Sequence, residues 1–485
     1  MKDEMYNQLL QDPSLPASKP TQSYWQLPPN ERLFGIQSST LPSQRDVIII
    51  GSGITACSVS RELLNSGFSG SVSVLEAREV CSGATGRNGG RINCVAVLDF
   101  DKYTQLFGVE TAKRIVRFEL AHLDDVLGAA KELGPELFAK SEVRRVDTIA
   151  AVFDDEKLEQ LKTMLANFEA AFPDLPGQWL VIGEEVREKY GMNEAKGALI
   201  GRAGAAWPYR LITSLFERLL DQYQERFGIE ANTPALSITR DQQNEYPYTV
   251  KTPRGNIQAR HVVHCTDGHV SHLVPELRGI LVPSRGQMSV QNPRKAFTST
   301  GQQSWSFYFK DGFDYLIQNQ HTGEIFIGGG ELGGIDNALD TNGIASDAEE
   351  YPAAKAHLAS ILPIVFGQNW GEQQPGKPLM KASWVGIMCD SLDHVPMVGM
   401  LPQEALGARP VGDVQKGAEW VSAGYGGYGM VNAWLCGKAV AQQLAGKGVP
   451  DWLPKEYQAT PERLTRLRVE LDNIAGTEKH LRALF

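Results

Sequence analysis

The stretch Arg45-Asp46-Val47-Ile48-Ile49-Ile50-Gly51-Ser52-Gly53-Ile54-Thr55-Ala56 decides the fold. Val47 to Ile50 are consecutive β-branched apolar residues. Such a run predicts a strand buried on both faces, as in a parallel sheet. The six residues after it have the form G-x-G-x-x-A. Gly51 permits a tight turn, Gly53 lets the backbone approach a pyrophosphate, and Ala56 lets helix and strand pack closely. Ser52, Ile54 and Thr55 fill the turn, and a helical stretch from Ala56 to Ser66 follows. Its N-terminus offers free N–H groups and a partial positive charge to phosphates. Ser71-Val72-Ser73-Val74-Leu75-Glu76 reads as a second strand, with Glu76 placed to accept hydrogen bonds from a ribose hydroxyl. Strand, glycine turn, helix, strand and carboxylate together predict an α/β domain that binds a dinucleotide.

Composition sets the outer limits. The chain has 485 residues, 42% of them hydrophobic and 21% charged, which fits a globular protein of two to three domains. A net charge of −10 argues against nucleic acid or an anionic membrane as the main partner. No apolar run approaches the ~20 residues that span a bilayer, and the first residues lack a secretory pattern. A cytoplasmic protein is the expectation. Cys57, Cys81, Cys94, Cys265, Cys389 and Cys436 form no C-x-x-C pair and read as buried thiols. His261, His264, His269 and His272 are close in sequence, the last two at i, i+3. No nearby Cys or carboxylate completes a ligand set, so no metal is expected.

Residues 1–44, rich in Pro, Ser and Gln, read as a surface arm with Tyr24 and Trp25 pinned into the body. Apolar periodicity predicts helices over about 104–133, 158–172 and 211–223. Short strands are expected at 236–238, 248–252 and 257–263, then at 304–309, 315–317 and 324–327, with turns at Asp311-Gly312 and His321-Thr322-Gly323. Residues 331–375 read as loop and helix. A Gly-rich segment, 422–429, leads into a helix from Met430 to Leu444.

Glu76-Ala77-Arg78 is followed by Cys81-Ser82-Gly83-Ala84-Thr85-Gly86-Arg87-Asn88-Gly89-Gly90-Arg91. An NAD domain normally continues into another helix at this point. Here a loop dense in hydroxyls and backbone donors is suited to wrap a second part of the cofactor. At these residues the sequence resembles the FAD-dependent oxidoreductases related to D-amino-acid oxidase, glycine oxidase and sarcosine oxidase, and Cys81 to Gly90 resembles fungal members. His264-Cys265-Thr266-Asp267-Gly268 resembles the strand-end motif that closes against the dinucleotide. Ser284-Arg285-Gly286-Gln287 resembles the segment entering the substrate domain. Trp384-Val385-Gly386, Asp393-His394-Val395-Pro396, Gly399 and Gly424-Tyr425-Gly426-Gly427-Tyr428-Gly429 resemble the C-terminal flavin signature.

The resemblance implies a Rossmann-like FAD-binding domain of glutathione-reductase-like βαβ type, in three pieces: 45–100, 205–282 and 376–455. An α+β substrate domain with an antiparallel sheet would be 101–204 plus 283–375, leaving the arm at 1–44 and a tail at 456–485. It places Ala235, on a strand from Ala231 to Ile238, near the adenine, and the flavin between the domains. The cofactor set it implies adds Thr266, Gly268, Gly386, Asp393, Gly424, Tyr425, Gly427, Tyr428, Gly429 and Met430 to the two N-terminal motifs. No histidine stands at Arg87-Asn88, so the FAD is expected to be dissociable.

The activity implied is oxidation of a C–N bond in a small amine or amino acid by hydride transfer to flavin N5. Oxygen or another acceptor would reoxidise the cofactor. Arg285, Arg91 and Arg87 are the candidates to hold a substrate carboxylate, with the choice open. Tyr308, Tyr315 and Trp305 are candidate pocket walls or core residues, and His394 is a candidate for the flavin face or a packing residue. Tailoring of a larger natural product and flavin binding without turnover are the competing readings.

Overall fold

In the computed structural model, residues 2–310, 312–332 and 341–476 are described. Val47, Ile48, Ile49 and Ile50 are buried in the strand Gln44–Ile50, as their unbroken branched run predicts. That strand pairs in parallel with Val72–Leu75 on one side and Gly255–His264 on the other. The helix Ile54–Asn65 makes the crossover. Across the sheet the order is Met397–Met400, Glu419–Ala423, Gly255–His264, Gln44–Ile50, Val72–Leu75 and Phe227–Glu230. Tyr248–Thr252 and Ser237–Arg240 extend it from Gly255–His264 as an antiparallel flap.

A second sheet runs Met380–Ser391, Leu281–Gln291, Ile325–Leu332, Gly312–Gln318, Gln303–Phe309, Arg144–Val152, Gly197–Ala205 and Arg91–Ile92. Its described pairings are antiparallel except Gln303–Phe309 with Arg144–Val152. The fold is thus α/β, a mainly parallel sheet joined to an α+β half.

Three local expectations need correction. The helix over 104–133 is two helices, Ala96–Phe107 and Val109–Glu132, broken at Gly108, whose φ of 81° and ψ of 163° only glycine adopts readily. The strand from Ala231 to Ile238 is a turn between Phe227–Glu230 and Ser237–Arg240. There Asn232 N and Thr233 N donate to Arg78 O and Glu76 O, so Ala235 sits in a loop rather than a strand. The last flavin-signature helix starts at Ala433, because Asn432 leaves helical geometry to donate to Glu119 Oε1 and accept from Tyr457 OH. The arm is pinned into the body at Trp25, as expected. Trp25 is 2% exposed and stacks on Phe326 with ring centroids 3.7 Å apart.

All six cysteines are buried and unpaired. No described helix is long and apolar enough to cross a membrane. Asp311 and residues 333–340 of the expected turn and loop lie outside the described residues.

Candidate active site

One elongated cavity follows the carboxyl ends of the parallel strands. Gly51, Ser52, Gly53, Ile54 and Thr55 line it at the first turn. Gly51 has φ +97°, and a Cβ there would stand 2.6 Å from Cys265 O, so glycine is required on two counts. A Cβ at Gly53 would meet Thr85 Oγ1 at 2.9 Å. That same hydroxyl accepts from Ile54 N at 2.9 Å, which pins the Gly-rich loop to the helix N-terminus. Glu76, at the end of its strand, is also in the wall. Its Oε2 accepts from Ser52 N at 3.1 Å and Ser52 Oγ at 2.5 Å, and its Oε1 accepts from Arg78 N at 2.9 Å.

Ala77, Arg78, Gly83, Ala84, Thr85 and Asn88 continue this wall, and Ala235 faces it from the turn. Thr266, Gly268, Tyr425, Gly427, Gly429 and Met430 close the other side. Tyr425 OH joins Thr55 Oγ1 at 3.0 Å and Ser422 Oγ at 2.8 Å, tying the C-terminal loop to the first helix. The sequence reading missed Asp267 and Met388, which also line the cavity. Asp267 accepts from Gly424 N at 2.9 Å, and burial pushes its carboxyl up to about 7.

Several expected cofactor residues stand outside this wall. The Ser82 carbonyl accepts from Arg87 Nε at 2.8 Å. Arg87 also donates to Val385 O and Thr21 O, both at 2.8 Å, and pairs with Asp347 at 3.2 Å. It is a tie between loop, arm and sheet, with its pKa lowered to about 10 by burial. Gly386 packs against Arg87 Cβ, Gly424 against Leu281, and Gly90 against Ala206 and Trp25. The Asp393 carboxylate is taken up by Arg463 at 2.8 Å and 3.0 Å and by Arg466 at 2.6 Å. It anchors the helix Pro461–Gly476 instead of facing the cavity. His394, with φ +59°, is likewise not in the wall.

Beyond Asn88 the same loop enters a second cluster, under the antiparallel sheet. A Cβ at Gly89 would come within 2.5 Å of the Tyr315 ring, so glycine lets that ring approach. Arg91 lies over Tyr315, 5.4 Å from its centroid. Its Nε donates to Ser304 Oγ at 2.8 Å and its Nη2 to Ser306 Oγ at 2.6 Å. Among the described residues no carboxylate pairs with it. Tyr308, Tyr315 and Tyr428 lie near this guanidinium, whose pKa burial lowers. Strand alternation sends Trp305 and Phe307 the other way, into a core with Phe366 and Trp370. Arg285 stands on the face opposite Met288, stacked over Tyr351 at 5.5 Å.

Behind Tyr428 lie two buried carboxyls that the sequence reading did not single out. Asp99 is pushed up to about 7, chiefly by burial. Glu119 is pushed up to about 8 by burial and by Asp99. Glu119 accepts from Tyr103 OH at 3.0 Å, Asn432 Nδ2 at 3.3 Å and the Cys94 thiol at 3.5 Å. Asp99 Oδ2 is buried with no hydrogen-bond partner. The four histidines are spoken for by other contacts. His264 bonds Glu419 at 3.0 Å, His261 accepts from Ala418 N, and His269 and His272 hold the arm.

Residues 46–443 match the family described as FAD dependent oxidoreductase. The chain belongs to that family. Gamma-glutamylputrescine oxidoreductase of Escherichia coli (strain K12) is 23% identical over 416 residues, 83% of this chain and 84% of that protein. L-Proline dehydrogenase from P. horikoshii has the same fold, with a TM-score of 0.64 at 20% identity, covering 88% of this chain and 99% of that one. Glycine oxidase from Geobacillus kaustophilus gives a TM-score of 0.63 at 15% identity, covering 86% and 99%.

FAD is therefore the cofactor, and the cavity of this FAD dependent oxidoreductase fits it. A helix N-terminus faces a glycine turn, a carboxylate ends the next strand, and the buried Thr266 Oγ1 in the wall has no protein partner. The C-terminal wall is glycine-rich and ends at Ala433, the first residue of a helix whose N–H groups and dipole favour negative charge.

Proposed function

We propose that the chain oxidises a C–N bond of a small amine or amino acid, with Arg91 holding a substrate carboxylate. The observation that carries this reading is the half-buried Arg91 guanidinium, which among the described residues meets serine hydroxyls and a tyrosine ring and sits three residues beyond the cavity-lining Asn88. A half-buried arginine fork without an acidic partner is suited to bidentate binding of a carboxylate. Arg87 and Arg285 are placed for other work, which favours Arg91 over both. The relatives' names, an amine oxidoreductase and enzymes of proline and glycine, agree with this chemistry.

Bound FAD would supply a two-electron acceptor for the hydride on the carbon next to nitrogen. The protein's own part is to orient and to exclude water. Tyr308, Tyr315 and Tyr428 lie near Arg91, and Met388 and Gly427 line the cavity. Residues 45–100, 205–282 and 376–455 would hold the cofactor, and 101–204 with 283–375 the substrate. The strands Arg91–Ile92 and Met380–Ser391 cross from the first set to complete the second sheet. The flavin would be dissociable, since no histidine stands in the loop at Arg87-Asn88. Its yellow colour would leave with the supernatant on acid precipitation.

The test is an oxygen-free panel of amines, amino acids and N-methyl amino acids, read at the flavin band near ~450 nm. Bleaching by carboxylate-bearing amines supports the reading. Bleaching by NAD(P)H alone, or by none of the panel, overturns it.

A further inference from the structure

We propose that the arm segment 12–17 is a built wall of the cofactor site that closes its adenosine end. Ser14, Leu15 and Pro16 line the same cavity as Glu76 and Ala235. They precede residue 46, where the family match begins. The apolar Leu15 and Pro16, with Leu273 and Ala235 in the same lining, suit a flat heterocycle rather than a phosphate.

The arm does not rest there by apolar contact alone. His269 Nδ1 donates to Ser14 O at 3.0 Å, and His272 Nδ1 to Asp12 Oδ1 at 2.9 Å. Arg278 pairs with Asp12 Oδ2 at 2.8 Å. On the other side Arg78 Nη1 donates to Ala17 O at 3.1 Å and to Asp347 at 3.0 Å. Asp347 O in turn accepts from Thr21 N at 2.8 Å. Arg78, His269, His272 and Asp347 are themselves cavity-lining residues. The clasp and the ligand space therefore share side chains, and a ligand seated there would meet an arm already fastened at both ends. The i, i+3 histidine pair, which completes no metal set, has this task.

A wall at the adenosine end distinguishes FAD from FMN, which lacks the adenosine half. The experiment titrates full-length apoprotein with FAD and with FMN and reads quenching of flavin fluorescence at equilibrium. In the Asp12→Ala/His269→Ala double variant the FAD dissociation constant should rise about tenfold, with FMN binding unchanged. Leu15→Gly leaves the clasp and trims the wall, and should act in the same direction. The apoprotein melting curves of both variants establish that they fold. Equal weakening of FAD and FMN, no change in either, or tighter FAD binding overturns the proposal. The inference rests on reading this cavity as the cofactor's. Equal affinity of the unaltered protein for FAD and FMN would defeat that reading itself. Discrimination that survives in both variants would defeat only the arm's part in it.

Discussion

Arg87 and Arg91 stand four residues apart in one loop, each at the edge of a different half of the site. Around Arg87 nearly every donor has a fixed acceptor: Ser82 O, Val385 O, Thr21 O and the Asp347 carboxylate. Around Arg91 there are two serine hydroxyls and a tyrosine face, and no ion pair among the described residues. Arg87 is buried and Arg91 half-buried, so both guanidinium charges are held back from water at a penalty. In the first case protein groups offset that penalty, and the product is rigidity: arm, loop and the strand Met380–Ser391 become one piece. In the second the offset is incomplete. Such a site gains most from an anion that arrives later.

The sharpest way to break the comparison is to remove each cation in turn. Arg87→Met strips a partner from the buried Asp347 and frees three backbone carbonyls. It should destabilise the fold by about 3 kcal/mol, read as a large drop in melting temperature, and release flavin with it. Arg91→Met should leave the melting temperature nearly unchanged. Its loss should be in kcat/KM for carboxylate-bearing substrates, about 30- to 100-fold, or roughly 2–3 kcal/mol, with simple amines little affected. If Arg91→Met instead melts the protein as Arg87→Met does, the two arginines are both structural and the division between them fails.

How far this division could be read from the residues differs between the two halves. The Gly51 turn was legible because its requirement is local. A positive φ at Gly51 and a strand leading to Glu76 are encoded within some 30 residues, and only the close carbonyl of Cys265 comes from afar. The strand Gly197–Ala205 was not, because glycine there reads as a breaker. In the fold those glycines admit neighbours: a Cβ at Gly201 would meet Trp179 at 2.4 Å, and one at Gly204 would meet Leu123 at 2.3 Å. The choice among three arginines needed sheet register, since a one-residue change of face decides whether Arg285 or Met288 meets Tyr315. One signal was present and unused: Ser304, Ser306 and Tyr308 alternate with Trp305, Phe307 and Phe309, which already separates a polar face from a core face. Asp99 and Glu119 lie on helices, where acids usually mark the solvent side. Only the return of Asn432, far along the chain, shows Glu119 to be interior.

That buried acid pair gives the smallest and most specific test. Asp99 holds its proton up to about 7 in the folded protein and Glu119 up to about 8. In the unfolded chain both release it near 4. Between those limits the native state binds more protons, so this pair's contribution to stability falls as pH rises, by at most about 1.4 kcal/mol per pH unit for each group. Asp99→Asn removes one titration. The stability of Asp99→Asn relative to the unaltered protein should therefore rise steadily from pH 4 to 7 and level off above it, measured by denaturant unfolding at each pH. A difference that stays flat across this window would mean that Asp99 is ionised in the folded state. The Arg91 side of the site would then already contain a fixed negative charge, and its preference for an anionic group would have to be weaker than the contrast with Arg87 implies.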